Sequence, residues 1–205
     1  MLKIQTPATI AAADQQNLDK IPEDQRSAKW DKSRANSVRN FKTAVMTHGL
    51  EVQGYRCAWC TLPVGAAGRR TAHRDHIAPK ALYQQWTFHA KNLLIACEYC
   101  NGFAIKADLD TVEALGADYD TTTFRIVHPY LDEPNGHISF LEQAGHEPGV
   151  VIQGLSPKGL WTIDKLQLTE SGLTIERAKE LVFYRGLNQL PMHFQELLLA
   201  ATKRE

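Results

Sequence analysis

The four cysteines of this chain stand in two matching pairs, Cys57-Ala-Trp-Cys60 and Cys97-Glu-Tyr-Cys100. A Cys-x-x-Cys turn brings two sulfurs within reach of one ion. Two such turns complete the tetrahedral thiolate shell of a structural zinc site and leave no position open for a substrate. Buried unligated thiols and a thioredoxin-like redox pair are the other readings, and a duplicated pair with no cysteine left over argues against both. The spacing predicts one Zn²⁺ on Cys57, Cys60, Cys97 and Cys100. Such a centre would tie the segment before Asp75 to the helix after Asn101. In a small β-rich core its binding energy is folding energy.

The chain has 205 residues and is 43% hydrophobic, enough for one ordinary domain with an appendage. No apolar run reaches the roughly 18 residues of a membrane span. The first residues, Met1-Leu-Lys-Ile-Gln-Thr-Pro7, lack the apolar stretch of a secretory signal. These features predict a cytoplasmic protein with no membrane partner, in a compartment where thiols stay reduced. The zero formal net charge is a cancellation. Residues 26–106 hold 13 Lys/Arg and 4 Asp/Glu, a net of +9, and the remainder holds 10 and 19, a net of −9. Phosphate binding needs local positive charge rather than a basic whole, so the half that carries the cysteines is the half suited to a nucleic acid.

The pattern divides the chain into an N-terminal arm (1–27), a core with both cysteine pairs (28–110) and an α+β extension (111–205). Trp30, Val38, Phe41, Val45 and Met46 share one stripe, which predicts a helix over 28–49 stopped by Gly49. Residues 71–77 read as a strand ended by Pro79, Leu93-Leu-Ile-Ala as a short buried strand, and a helix is expected from about Cys100. The extension predicts strands at Phe124-Arg-Ile-Val, His137-Ile-Ser-Phe-Leu and Val150-Val-Ile, then helices near 174–187 and 191–203.

Between the cysteine pairs lie His73-Arg-Asp75-His76-Ile-Ala-Pro79-Lys80 and Asn92-Leu-Leu-Ile-Ala, and Asn101 follows Cys100 directly. Phosphodiester hydrolysis needs an activated water and a cation beside the scissile phosphate. Magnesium or manganese takes oxygen ligands, which Asp75 and Asn101 supply. On a strand, adjacent side chains point to opposite sides, so His76 would face the phosphate from across the metal as general base. Asn92 either holds the loop or orients the imidazole. His73 shares the Asp75 face, as a further ligand, a phosphate contact or a surface histidine.

The order Cys-x-x-Cys, Asp-His-Ile-x-Pro, Asn-Leu, Cys-x-x-Cys-Asn and then Lys resembles the zinc-knuckle branch of the HNH endonucleases. The resemblance covers roughly residues 55–107. It implies an α+β fold with a ββα-metal core, Asp75 as ligand of a catalytic Mg²⁺ or Mn²⁺, His76 as general base and Asn92 as the middle asparagine of the signature. Asn101 stands where a histidine is common, which favours Mg²⁺ or Mn²⁺ over softer ions. Lys106 falls where a lysine often follows the second knuckle, as a phosphate contact or a surface charge. The stretch from His73 to Lys80, with Pro129-Tyr-Leu-Asp-Glu-Pro-Asn-Gly-His-Ile-Ser-Phe140 and Trp161-Thr-Ile-Asp-Lys-Leu-Gln-Leu168, is also similar to the HNH subunits of Septu-type and retron-linked antiphage systems. That likeness implies an ATPase subunit as partner. DNA is the expected substrate, with Arg34, Arg39, Arg69, Arg70, Arg74, Lys80 and Lys106 as candidate phosphate contacts and a homodimer as another expected assembly. A catalytically silent zinc-stabilised binding or interaction subunit is the alternative reading.

Overall fold

The computed structural model describes residues 1–68, 70–106, 109–145 and 147–202. Arg69 lies outside them. The stripe at 28–49 becomes two helices, α2 (Arg26–Lys32) and α3 (Asn36–Val52). Ser33 is extended and breaks the run. The break folds Trp30 back on α3, where its ring meets Phe41 edge-on at 6.2 Å. Gly49 does not stop the helix, which runs on to Val52. Its role is close approach, because a Cβ there would sit 2.6 Å from Ile95 Cγ1. The turn that ends α3 instead uses Gly54 and Tyr55, both at positive φ.

The expected N-terminal arm is packed rather than loose. Helix α1 (Ala12–Asp19) buries Leu18 and lies on α3. Leu18, Trp30, Val38, Phe41, Phe88 and Leu93 form a small second core. Its signal in the sequence is weak because α1 presents almost one apolar side chain to the rest of the molecule.

Strand β1 (Ala72–His76) pairs antiparallel with β2 (Leu93–Cys97), with His73 opposite Ala96, Asp75 opposite Leu94 and His76 opposite Leu93. All five residues of β2 are buried, which explains its unbroken apolar run. Past Cys100 the chain makes a short helix, α4 (Phe103–Lys106). The extension adds two further two-stranded sheets, β3 (Val112–Ala114) with β4 (Thr123–Phe124), and β5 (Ile138–Phe140) with β6 (Ile152–Gly154). Three helices close the chain: α5 (Pro157–Lys165), α6 (Ser171–Gln189) and α7 (Met192–Thr202). Helix α5 escaped the sequence reading despite a start signal. Ser156 caps it by accepting from Gly159 N at 3.0 Å, and Pro157 occupies its first turn. The main core joins all four cysteines to Ile77, Leu94, Ile126, Leu166 and Leu168, so the extension and the cysteine-bearing segment share one interior. The class is mixed α+β, and among the described residues no helix is long and apolar enough to cross a membrane.

Candidate metal centre and candidate active-site cleft

The two Cys-x-x-Cys turns meet in the core. The four Sγ atoms lie within 4.8 Å of one another, and all four cysteines are buried. Zn–S bonds of about 2.3 Å in a tetrahedron put sulfurs about 3.8 Å apart. Cys60 Sγ and Cys97 Sγ are 3.8 Å apart, so the donor set has the size the ion needs. Backbone geometry supports it: Cys100 N donates to Cys97 Sγ at 3.5 Å, and Ala58 N donates to Ile95 O at 3.0 Å, joining the first knuckle to β2. Burial pushes the Cys57 thiol up, whereas hydrogen bonds from the other three thiols drive Cys97 far down. A divalent cation held by these four sulfurs would displace their thiol protons. The chain thus holds a four-cysteine site suited to a zinc-like ion.

A second arrangement lies beside the first. An open cleft of about 430 Å³ is lined by residues that include Asp75, His76, Asn101, Arg74, Lys80 and Lys106. It is also lined by Trp30 and by Phe103, which is 87% exposed. The strand alternation holds: Asp75 and His76 leave β1 to different neighbours. Asp75 is 1% exposed, and its Oδ2 accepts from Trp59 Nε1 at 2.7 Å. Its Oδ1 lies 3.4 Å from Lys106 Nζ. Burial pushes the Asp75 carboxyl up, and the Lys106 ammonium and the Trp59 N–H oppose that. Trp59 thus links the first knuckle to Asp75. Lys106 is not a surface charge. It is buried against Asp75, donates to His76 O at 3.2 Å and stands over the Trp59 ring at 5.5 Å.

His76 is buried, with Nε2 at 3.1 Å from Thr87 O. A carbonyl only accepts, so Nε2 carries the proton and Nδ1 of the neutral ring keeps its lone pair. Trp30 meets the imidazole edge-on at 4.5 Å and fixes its plane. Burial lowers the His76 pKa to about 3, so the ring is neutral at physiological pH. Asn92 does not touch the ring. Its Oδ1 accepts from Ala78 N at 2.7 Å, and its Nδ2 donates to Ala78 O at 3.0 Å and Trp86 O at 3.1 Å. It clamps both the segment after His76 and the segment that presents Thr87 O. Tyr119 OH reaches Asn92 Oδ1 at 3.0 Å and His128 Nε2 at 2.9 Å, so the extension braces this clamp. Neither residue was singled out from the sequence, because each lies remote in the chain and carries no spacing signal.

Asn101 Nδ2 faces His73 Nδ1 at 3.5 Å, which leaves its amide oxygen as the donor available to a cation. Asp75 and Asn101 both line the cleft, and both Asp75 oxygens are already engaged, by Trp59 and by Lys106. Among the expected phosphate contacts, Arg74 is anchored by donating to Lys42 O at 2.5 Å, and Lys80 pairs with Asp31 at 2.7 Å. Burial and the nearby Arg74 guanidinium lower the Lys42 pKa, a sign of cations crowded at this edge. Arg34 and Arg39 are exposed, whereas Arg70 is paired with Glu176 at 2.6 Å. No protein-family model matches this chain, and no curated protein sequence matches it.

Proposed function

We propose that this chain is a metal-dependent HNH endonuclease with a ββα-metal core, in which Zn²⁺ on the four cysteines is structural and Mg²⁺ or Mn²⁺ serves catalysis. The observation that carries the reading is the shared cleft of Asp75, His76 and Asn101, with His76 held through Nε2 so that Nδ1 is the basic atom. Asp75 and Asn101 would hold the divalent ion, which would supply a Lewis acid beside the phosphate and the departing oxygen. His76 Nδ1 takes the proton of the attacking water, and the Thr87 carbonyl stabilises the imidazolium that results. A pKa of about 3 makes this buried base weak in the free protein. The phosphodiester anion placed against the ring favours its charged form and raises that value towards the working range. Arg74 and Lys80 supply cations for flanking phosphates, and the exposed Phe103 ring offers a base a stacking face.

The test uses purified protein with plasmid DNA and tRNA in Mg²⁺, Mn²⁺ or EDTA. Metal-dependent cleavage of DNA is expected, and His76→Ala is expected to lower the rate about 10²–10⁴-fold with the fold and DNA binding retained. Cleavage by His76→Ala at the wild-type rate refutes the assignment. A second reading is a nuclease silent until a partner docks. It is favoured by the apolar side chains that α6 and α7 leave exposed, among them Val182, Phe183, Met192 and Leu197. By the Septu-type likeness that partner is an ATPase subunit of an antiphage complex. In that case the isolated chain is inert and cleavage appears on adding the partner.

A further inference from the structure

Three buried polar side chains meet where the extension touches the cysteine-bearing segment: Asn92, Tyr119 and His128. A phenylalanine and a leucine would fill the same space without the cost of burying a hydroxyl and an imidazole. The partners of these groups fix the direction of each proton. His128 Nδ1 faces the backbone N–H groups of Tyr130 and Leu131, each at 3.2 Å. Burial keeps the ring neutral. A backbone N–H only donates, so Nδ1 accepts and Nε2 carries the proton. His128 Nε2 therefore donates to Tyr119 Oη at 2.9 Å. Tyr119 Oη in turn donates to Asn92 Oδ1 at 3.0 Å, with Lys91 O a more distant acceptor at 3.3 Å.

From Asn92 the hydrogen bonds reach His76 by two routes. Asn92 Oδ1 accepts from Ala78 N at 2.7 Å and Nδ2 donates to Ala78 O at 3.0 Å, two residues beyond His76. Nδ2 also donates to Trp86 O at 3.1 Å, and the next residue, Thr87, presents the carbonyl that His76 Nε2 meets at 3.1 Å. Tyr119 lies in the loop between β3 and β4, which is held by its own contacts. Thr121 N donates to Asp118 Oδ1 at 2.9 Å, and Thr122 Oγ1 donates to Asp118 O at 2.7 Å. Asp120 ties the same loop to Lys91, beside Asn92, at 2.5 Å. Asn92 Oδ1 thus has two donors, one from the segment after His76 and one from the extension. Loss of the second leaves the amide less firmly held and the His128 N–H unanswered.

We propose that Tyr119 is a positioning residue for His76, with His128 directing its proton, so that the extension completes the candidate active site rather than only adjoining it. The purpose of this positioning rests on the nuclease reading, whereas its test does not need cleavage. In ¹⁵N-histidine spectra of the full chain, His76 and His128 are both expected as Nε2–H tautomers. Tyr119→Phe keeps a ring against Trp86 and Phe124 and removes only the hydroxyl. It is expected to speed exchange of the His76 Nε2 proton with water about 10-fold. His128→Gln, which retains a donor, is expected to keep that exchange slow, and His128→Leu to speed it. Ser156→Ala removes the cap of α5 and so also destabilises the fold, but it is expected to leave the exchange unchanged. Where the wild-type chain cuts DNA, Tyr119→Phe is expected to lower kcat about 10–100-fold with KM little changed. An inert wild-type chain counts against the nuclease reading alone, and the exchange rate still judges Tyr119. Exchange at the wild-type rate in Tyr119→Phe, equal acceleration in Ser156→Ala, or an Nδ1–H tautomer of His128 in the wild type overturns the proposal. Should Tyr119→Phe fail to fold, the wild-type tautomers and the contrast of His128→Gln with His128→Leu decide.

Discussion

Asp75 and Lys106 show how one short contact sets the character of the cleft. The carboxylate is buried, and the ammonium 3.4 Å away is its only ion-pair partner among the described residues. Removing one member of such a pair leaves a buried charge, at a cost of about 3–5 kcal/mol. Lys106→Met should therefore destabilise the fold, and Asp75→Asn with Lys106→Met should cost less than the sum of the single changes. Urea unfolding of the four proteins measures this coupling, and strict additivity would rule out the pair as a unit. His76 and His128 carry a second residue-scale prediction. Burial lowers each pKa from 6.5 to about 3. Below pH 6.5 the unfolded chain takes up protons at these rings that the folded chain refuses. Their stabilising effect is whole above pH 6.5 and is lost as pH falls towards 3. The slope is at most about 1.4 kcal/mol per pH unit for each group. Thermal melts from pH 7.5 to 4 should show Tm falling with acid, less steeply in His128→Gln.

At the scale of elements, the β1–β2 hairpin, the two knuckles and α4 bring together residues spread over 57–106. The knuckles close this unit, so Cys97→Ser should misfold rather than lose activity alone. Loss of metal together with loss of near-ultraviolet circular dichroism is the expected signature, and a native spectrum in a metal-free variant would contradict it. Helix α5 gives a prediction in which local and tertiary effects have opposite signs. Replacing glycine by alanine inside a helix usually gains about 1 kcal/mol. At Gly159, however, a Cβ would meet His137 O at 1.9 Å, and a backbone oxygen cannot step aside alone. Gly159→Ala should destabilise by about 1–3 kcal/mol, the range of overpacking. A raised Tm would show that the β5–α5 contact yields.

For the whole molecule, the net charge is +9 over 26–106 and −9 elsewhere. DNA affinity should fall steeply with salt as phosphate contacts release counterions. Charge reversal at the exposed Arg34 or Arg39 should weaken binding, whereas reversal at Lys179, already paired with Glu176 at 2.7 Å, should not. Arg70, held by Glu176, should matter less than its sequence position suggests. Helix α7 leaves Met192 75% and Leu197 63% exposed, on top of Val182 at 71% on α6. Large apolar faces of this kind associate. Light scattering should show concentration-dependent growth that disappears on removing residues 191–205. A cut at 172 is the wrong experiment, since it takes the buried Leu173 and Arg177 with it.

The sequence by itself determined what depends on spacing and chemical type. Two Cys-x-x-Cys turns can share one ion, alternation on a strand sends Asp75 and His76 apart, and an unbroken apolar run is a buried strand. It also located the long C-terminal helices, because their periodicity extends over many residues. Only the tertiary structure decided which charges are exposed. Lys106, Arg70 and Arg177 look alike in the sequence, yet the first is buried on Asp75, the second is paired across to α6, and the third is buried against the carbonyls of Val150 and Leu168. The same holds for Trp59, Tyr119 and His128, whose partners lie 9 to 27 residues away. Burial and pairing are properties of a site assembled from distant segments, and no local pattern encodes the desolvation that sets a charge's value.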